Sequence, residues 1–278
     1  MNARGGFVTL PGGGRVAFEV EGDRHAGTPA LLLRPLVGQM HLWGAFREVL
    51  AERFRVIAYD PPGTDPSSHA PLMATTRDMA RDAIAVLDAL GVPAAHVFGI
   101  SLGAMVATWL AIDAPERVAR LCLASAGPTG LILTASGLER GAAMLASALV
   151  PGEDPAAGLS VAVLSRNVRE DGSGRAEAVA EAEASDHSER SEIAKHAIAA
   201  ARHDARTALH RIVAPTLVLA GDHDELLGEG PTIALAAAIA GARREVIADA
   251  GHDLTLEKPV ETARRVAAFF GEDPEETP

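Results

Sequence analysis

The sequence predicts an α/β fold: a mostly parallel central sheet flanked by helices, with a helical segment inserted into it. Three observations predict this. Short continuous apolar runs such as "ALLLRPL" and "TLVLAG" alternate with amphipathic stretches, the pattern of strands buried on both faces and joined by helical crossovers. The alternation stops after Gly127 and returns near residue 207. The intervening segment, 128–206, is Ala-rich and charged, with no strand as convincing as those on either side.

The elements follow in order. "FVTLPGGGRVAFEVEGD" alternates apolar and polar residues around a Gly-rich turn and reads as a β-hairpin. "ALLLRPL" is the first buried strand, and "LWGAFREVLAERF" places Trp43, Phe46, Val49 and Leu50 on one helical face. "RVIAYD" is the next strand, closed by the turn-rich "PPGTDPSS". "TTRDMARDAIAVLDALG" is an amphipathic helix with Thr75 or Thr76 as its cap and Gly91 as its stop. "HVFGI", the apolar helix "SLGAMVATWLAIDAP" and the strand "VARLCLAS" complete the first part. After the insertion come "APTLVLAG", the helix "PTIALAAAIAGA", the strand "RREVIADAG" and the helix "PVETARRVAAFF". The expected organisation is a core of residues 1–127 and 207–278 with a cap of residues 128–206.

Composition narrows the function classes. A hydrophobic content of 48% over 278 residues marks a globular chain with a sizeable core. A net charge of −12 argues against nucleic-acid binding, which needs a basic surface. No apolar run reaches membrane-spanning length, and "MNARGGFVTL" has no signal-like apolar region. Cys122 is the only cysteine, so no disulfide framework forms, and the expected location is the cytoplasm. Cys122 reads as a buried strand residue rather than a catalytic thiol. The histidines outside the motifs below have no metal-ligand spacing, so neither a metal nor a cofactor is expected. The expected partner is a small-molecule substrate. A homodimer is one compatible state, and the sequence does not fix the oligomeric state.

One short motif carries the chemistry. Gly99-Ile100-Ser101-Leu102-Gly103 lies between a strand and a helix, the context of a strained turn that exposes a nucleophilic serine at the carboxyl end of a sheet. A serine hydroxyl needs a base, and the base needs an orienting carboxylate. The last third of the chain supplies both after buried strands: Asp222, His223, Asp224 and Glu225 in "LAGDHDEL", then Gly251-His252 in "VIADAGHDLTLEKP".

With these motifs the chain resembles the α/β-hydrolase fold superfamily over nearly its whole length, loosely in the manner of the enol-lactone hydrolases and related esterases. Gly99 to Gly103 match the family's elbow, Gly221 to Asp224 its G-x-x-D loop, and Gly251-His252 with Glu257-Lys258-Pro259 its late histidine motif. The resemblance implies Ser101 as nucleophile, His252 as base and Asp224, favoured over Asp222, as the acid. Asp253 is expected to be a solvated neighbour. The oxyanion hole would take the N–H groups of Leu36 and Leu102. Where the family has His-Gly, this chain has Arg34-Pro35. Arg34 either binds a substrate carboxylate or ties adjacent loops together, and the loop-tying role is the stronger expectation. Trp43 and Met105 are the further substrate-contact candidates. The implied activity is a serine hydrolase of a small, mainly apolar ester or lactone. Carbon–carbon bond hydrolysis of ring-cleavage products by the same triad, or a non-hydrolytic ligand-binding role, are the alternatives. A dehalogenase or epoxide hydrolase with an aspartate nucleophile is disfavoured, because position 101 is serine.

Overall fold

The computed structural model describes residues 4–36, 39–130, 164–165, 167–168 and 189–272 of the chain. Among these, eight strands form one sheet in the order β1-β2-β4-β3-β5-β6-β7-β8. The strands are β1 (Arg4–Thr9), β2 (Arg15–Glu21), β3 (Ala30–Leu33), β4 (Val56–Tyr59), β5 (Ala95–Ile100), β6 (Val118–Ala124), β7 (Thr216–Gly221) and β8 (Arg243–Ile247). β1 and β2 are the expected hairpin, and β2 joins β4 antiparallel. Every pairing from β4 through β8 is parallel.

Among the described residues the helices are α1 (Gly44–Ala51), α2 (Thr76–Ala89), α3 (Leu102–Asp113), α4 (Arg190–Ala201), α5 (Gly230–Ala238), α6 (Leu254–Glu257) and α7 (Pro259–Phe270). Thr75 caps α2 in a reciprocal box with Asp78, which satisfies first-turn N–H groups that the helix itself leaves without partners.

Strand alternation sorts the core into two layers. Leu31, Leu33, Val97, Leu121 and Leu123 face one layer with α2 and α3. Leu32, Phe98, Cys122, Leu217 and Leu219 face the other with α1 and α7. In the second layer Phe46 and Phe98 have ring centroids 4.7 Å apart, and Trp43 lies 5.6 Å from Phe46. Such offset aromatic contacts add to the burial of the rings. Cys122 is buried in β6, as expected, and burial pushes its thiol pKa up.

Much of the 128–206 segment lies outside the described residues. Its two ends meet: Gly130 N–H donates to His203 O at 2.5 Å and Ala205 N–H to Pro128 O at 2.9 Å. The chain thus enters this segment after β6 and returns beside the same place before β7. α4 is fastened to the β4–α2 loop. Glu192 accepts from Ala70 N–H at 2.8 Å and from Lys195 Nζ at 2.7 Å, and His196 Nε2 donates to Pro62 O at 2.8 Å.

The tightest packing is where the sheet ends meet the turns. A Cβ on Gly103 would stand 2.0 Å from Leu33 O and 2.5 Å from Arg34 O, both backbone atoms. Gly103→Ala should therefore lower the unfolding free energy by about 3 kcal/mol or more, the upper end of overpacking costs. Gly12→Ala, with nothing within 4 Å of its Cβ position, should stay within about 0.5 kcal/mol of wild type. Urea unfolding of the two variants checks this, and equal stabilities would contradict the packing.

Candidate active site

Ser101 sits between β5 and α3 with φ 55° and ψ −118°, a conformation costing a non-glycine residue about 1–3 kcal/mol. Two glycines make the turn possible. A Cβ on Gly99 would lie 2.3 Å from Gly103 O, so side chains at these positions would push strand and helix apart. The spacing in Gly99-x-Ser101-x-Gly103 is thus a consequence of backbone contact on both sides of the serine.

His252 lies in the loop after β8, just ahead of α6. Its Nε2 is 2.9 Å from Ser101 Oγ, and its Nδ1 is 2.9 Å from Asp224 Oδ2. A carboxylate can only accept, so Nδ1–H donates to Asp224. In the neutral imidazole that leaves the Nε2 lone pair to accept from the Ser101 hydroxyl. All three residues are buried.

Asp224 is held from behind. Its Oδ1 accepts from Leu226 N–H at 3.0 Å and Leu227 N–H at 2.9 Å, which fixes the carboxylate and leaves Oδ2 for His252. This short Asp turn was within reach of sequence reading, because aspartate commonly bonds the backbone two and three residues on. Asp222, the rejected candidate, instead accepts from Ala250 N–H at 3.2 Å. Gly221 lets these loops touch: a Cβ there would stand 2.2 Å from Ala250 O and 2.3 Å from Gly251 O.

Burial by itself would lower the His252 pKa. The Asp224 carboxylate, by charge and hydrogen bond, outweighs it with smaller help from Asp253 and Glu257, and the net direction is upward. Asp253 departs from expectation. It is buried, and its carboxylate caps α6 by accepting from Thr255 N–H at 3.0 Å and Leu256 N–H at 3.1 Å. Burial raises its pKa against these bonds. A polar side chain entering a helix explains the difference, since capping gives it partners that solvent would otherwise supply.

Leu102 is the first residue of α3, where a backbone N–H has no partner within the helix. Leu36 follows Pro35 on the segment against which Gly103 packs. The two N–H groups expected to form an oxyanion hole thus come from segments in backbone contact. Arg34 is buried and donates from Nη1 to Thr64 Oγ1 at 2.5 Å, tying the β3 end to the β4–α2 loop. This is the loop-tying arrangement. A small cavity of about 10 Å³, lined in part by Arg34, Tyr59, Leu102 and Val106, lies beside it. Trp43 is placed in the aromatic cluster of the α1/α7 layer, where packing accounts for it. Met105 is buried in α3, its N–H on Ser101 O at 3.2 Å, so it supports the turn from below.

One contact escaped sequence reading. Glu257 is buried and accepts from Ser165 N–H at 2.7 Å and Ser165 Oγ–H at 2.6 Å, across 92 residues. The late acidic position was visible as a motif, but nothing in the sequence pairs it with Ser165. Likewise His69, Glu189 and Glu192 bring potential ligand atoms within 4.8 Å of one another. Lys195 and Ala70 N–H already engage both oxygens of Glu192 there, which reads as a latch for α4.

Comparison with known proteins agrees with the fold. The family described as "alpha/beta hydrolase fold" matches residues 31–259. A hydrolase from Pseudomonas aeruginosa PA01 superposes with a TM-score of 0.83 at 30% identity, covering 97% of this chain and 99% of that one. The enol-lactonase of Burkholderia xenovorans LB400 has a TM-score of 0.82 at 22% identity, over 96% of this chain and 100% of its own, a likeness of fold. Among curated proteins, one from Azorhizobium caulinodans named carbamate hydrolase RutD is 42% identical over 106 residues, 38% of this chain and 39% of that protein. The chain thus spans about two fifths of the length of the curated relatives it matches first.

The His252 environment makes a direct prediction. In Asp224→Asn the main charge that raises the imidazole pKa is gone, so it should titrate at lower pH than in wild type. Asp222→Asn should leave it nearly unchanged. An NMR titration of the His252 ring checks both, and equal shifts would contradict the pairing.

Proposed function

The chain belongs to the alpha/beta hydrolase fold family, and on that premise we propose that it is a serine hydrolase acting on a small, mainly apolar ester or lactone. The observation that carries the proposal is the continuous hydrogen-bonded line from Asp224 through His252 to Ser101, with 2.9 Å at each link.

In this reading Ser101 Oγ attacks the carbonyl carbon and His252 Nε2 takes its proton. The Asp224 carboxylate stabilises the imidazolium and keeps Nδ1–H pointed at itself. The oxyanion of the tetrahedral intermediate accepts from Leu36 and Leu102 N–H groups. Collapse expels the alcohol, which takes the proton back from His252, and leaves an acyl group on Ser101. A water then gives its proton to His252 and attacks the acyl carbonyl; as the C–O bond to Ser101 breaks, His252 returns that proton to Oγ and the acid leaves.

The substrate class rests on the surroundings. Leu36, Leu102, Ala126 and Leu164 belong to one buried apolar cluster, and the Arg34 guanidinium is turned to Thr64. The small cavity beside Arg34 is lined mostly by apolar side chains, among them Leu33, Met79, Leu102 and Val106, which suit an apolar acyl group better than an anionic one. The 128–206 segment acts as a cap that selects substrate, supported by its paired ends and by Ser165 beside the histidine loop. A cytoplasmic location belongs to the same proposal, supported by the single buried Cys122. Among the described residues no helix is long and apolar enough to cross a membrane.

A carbamate is the second reading, favoured by the relatives named carbamate hydrolase. It needs the same attack on a carbonyl carbon, with a different leaving group.

Steady-state assays on matched esters, lactones, carbamates and a ring-cleavage diketone test these readings. Wild type should turn over a neutral ester or lactone best, and Ser101→Ala should reduce turnover to background. Asp224→Asn should lower kcat by up to about 10⁴-fold, as expected when the imidazole loses its orienting carboxylate, and Asp222→Asn far less. Since only neutral His252 can accept the serine proton, kcat/KM should rise with pH through a midpoint above 6.5, the ordinary histidine value. Full turnover by Ser101→Ala would overturn the proposal, and binding of these compounds without any turnover would favour a ligand-binding role.

A further inference from the structure

The Glu257 carboxylate joins three parts of the chain at one point. It accepts both the N–H and the Oγ–H of Ser165, at 2.7 and 2.6 Å, and it packs against Gly251, whose Cβ position lies 2.4 Å from Glu257 Oε1. Ser165 belongs to the segment inserted between β6 and β7, whereas Gly251 is the residue immediately before His252. Glu257 ends α6, whose start is capped by Asp253, the residue immediately after His252. Glu257 N–H also returns to Asp253 O at 3.0 Å. The histidine is thus bracketed by α6: Gly251 on one side packs against Glu257, and Asp253 on the other caps the helix.

The space around Gly251 shows how closely the parts fit. A Cβ there would lie 2.4 Å from Glu257 Oε1 and 2.6 Å from Ser165 N. The carboxylate and the inserted segment press on the same backbone atom from which the His252 loop starts. A buried carboxylate with no donors would be costly, so the Ser165 bonds hold Glu257 in place, and with it the packing against Gly251.

We propose that Glu257 and Ser165 form a positioning pair, through which the inserted segment sets the orientation of the His252 base. The pair acts through the Gly251-His252 backbone. The proposal rests on the serine-hydrolase reading for its consequence, since orientation of His252 matters through proton transfer from Ser101. Three carboxylates face the imidazole: Asp224 from the β7 loop, Asp253 from its own loop and Glu257 from α6. Glu257 contributes the least of these to the histidine's raised pKa, so its larger effect is geometric.

The test compares wild type, Ser165→Ala, Ser165→Thr, Glu257→Gln and the Ser165→Ala/Glu257→Gln double variant in the full chain. Two quantities are read: the rate at which a fluorophosphonate labels Ser101 between pH 5 and 9, and the NMR titration of the His252 ring. Ser165→Ala and Glu257→Gln should each slow labelling about tenfold, the effect of losing one hydrogen bond to a charged group. The double variant should be no slower than the worse single variant, because both changes break one connection. Ser165→Thr, which keeps the hydroxyl, should label near the wild-type rate. The His252 ring resonances should move in both single variants, and only Glu257→Gln should lower the titration midpoint.

Wild-type labelling rates and His252 spectra in the single variants would overturn the pair's role, even if their melting temperatures fell. Strictly additive losses in the double variant would do the same. If wild type showed a normal His252 titration but no labelling, the hydrolase reading would fail, and the ring resonances of the variants would still decide whether the pair positions the histidine.

Discussion

The site depends on backbone touching backbone at the ends of β5, β7 and β8. Gly99 and Gly103 let α3 start against β3 and β5, and Gly221 lets the two loops after β7 and β8 meet. At each place an added methyl group would overlap a carbonyl oxygen or peptide carbon, and backbone atoms cannot turn aside as a side chain can. Because these approaches are fixed, the Ser101, Asp224 and His252 side chains arrive within 2.9 Å of their partners from three separate loops. The strained φ at Ser101 is held by the same packing, since a turn free to relax would not keep it.

Electrostatics follow from this burial. The His252 imidazole sits out of water, which by itself disfavours its charged form. Asp224 reverses that preference, and its own second oxygen is tied to Leu226 and Leu227, so it cannot swing toward another donor. In the proposed reaction, preorganisation of this kind would let the proton move without a rearrangement of dipoles. The same burial makes Asp253 and Glu257 structural necessities: each carboxylate near the histidine has its own set of N–H or O–H donors.

How far the sequence could lead is clearest residue by residue. The strand and helix alternation was legible because burial on both faces writes continuous apolar runs, and the hairpin because its turn is rich in glycine. Ser101 and His252 were legible because the glycines beside them mark close backbone approach. Choosing Asp224 over Asp222 needed the spacing from Gly221, and the structure shows why it matters: two residues earlier, the carboxylate reaches Ala250 N–H instead of the imidazole. Arg34 leaves two readings in the sequence, since a guanidinium serves a ligand or a loop equally well, and the structure adds its bond to Thr64 Oγ1. Asp253 was misread as solvated, because a capping aspartate and an exposed one look alike until the helix start is known. Ser165 carried no signal at all, since its partner lies 92 residues away and a lone serine in a polar, Ala-rich stretch has no periodicity.

The central claim is that Ser101 Oγ is the attacking atom and that Leu36 and Leu102 receive the negative oxygen it creates. The most direct measurement is a crystal structure of the protein after inactivation by a small fluorophosphonate, whose tetrahedral phosphorus mimics the intermediate. The account predicts a phosphorus–oxygen bond to Ser101 Oγ, with the phosphoryl oxygen about 2.7–3.1 Å from both the Leu36 and the Leu102 nitrogens. An adduct on another residue, or a phosphoryl oxygen turned away from both nitrogens, would contradict it.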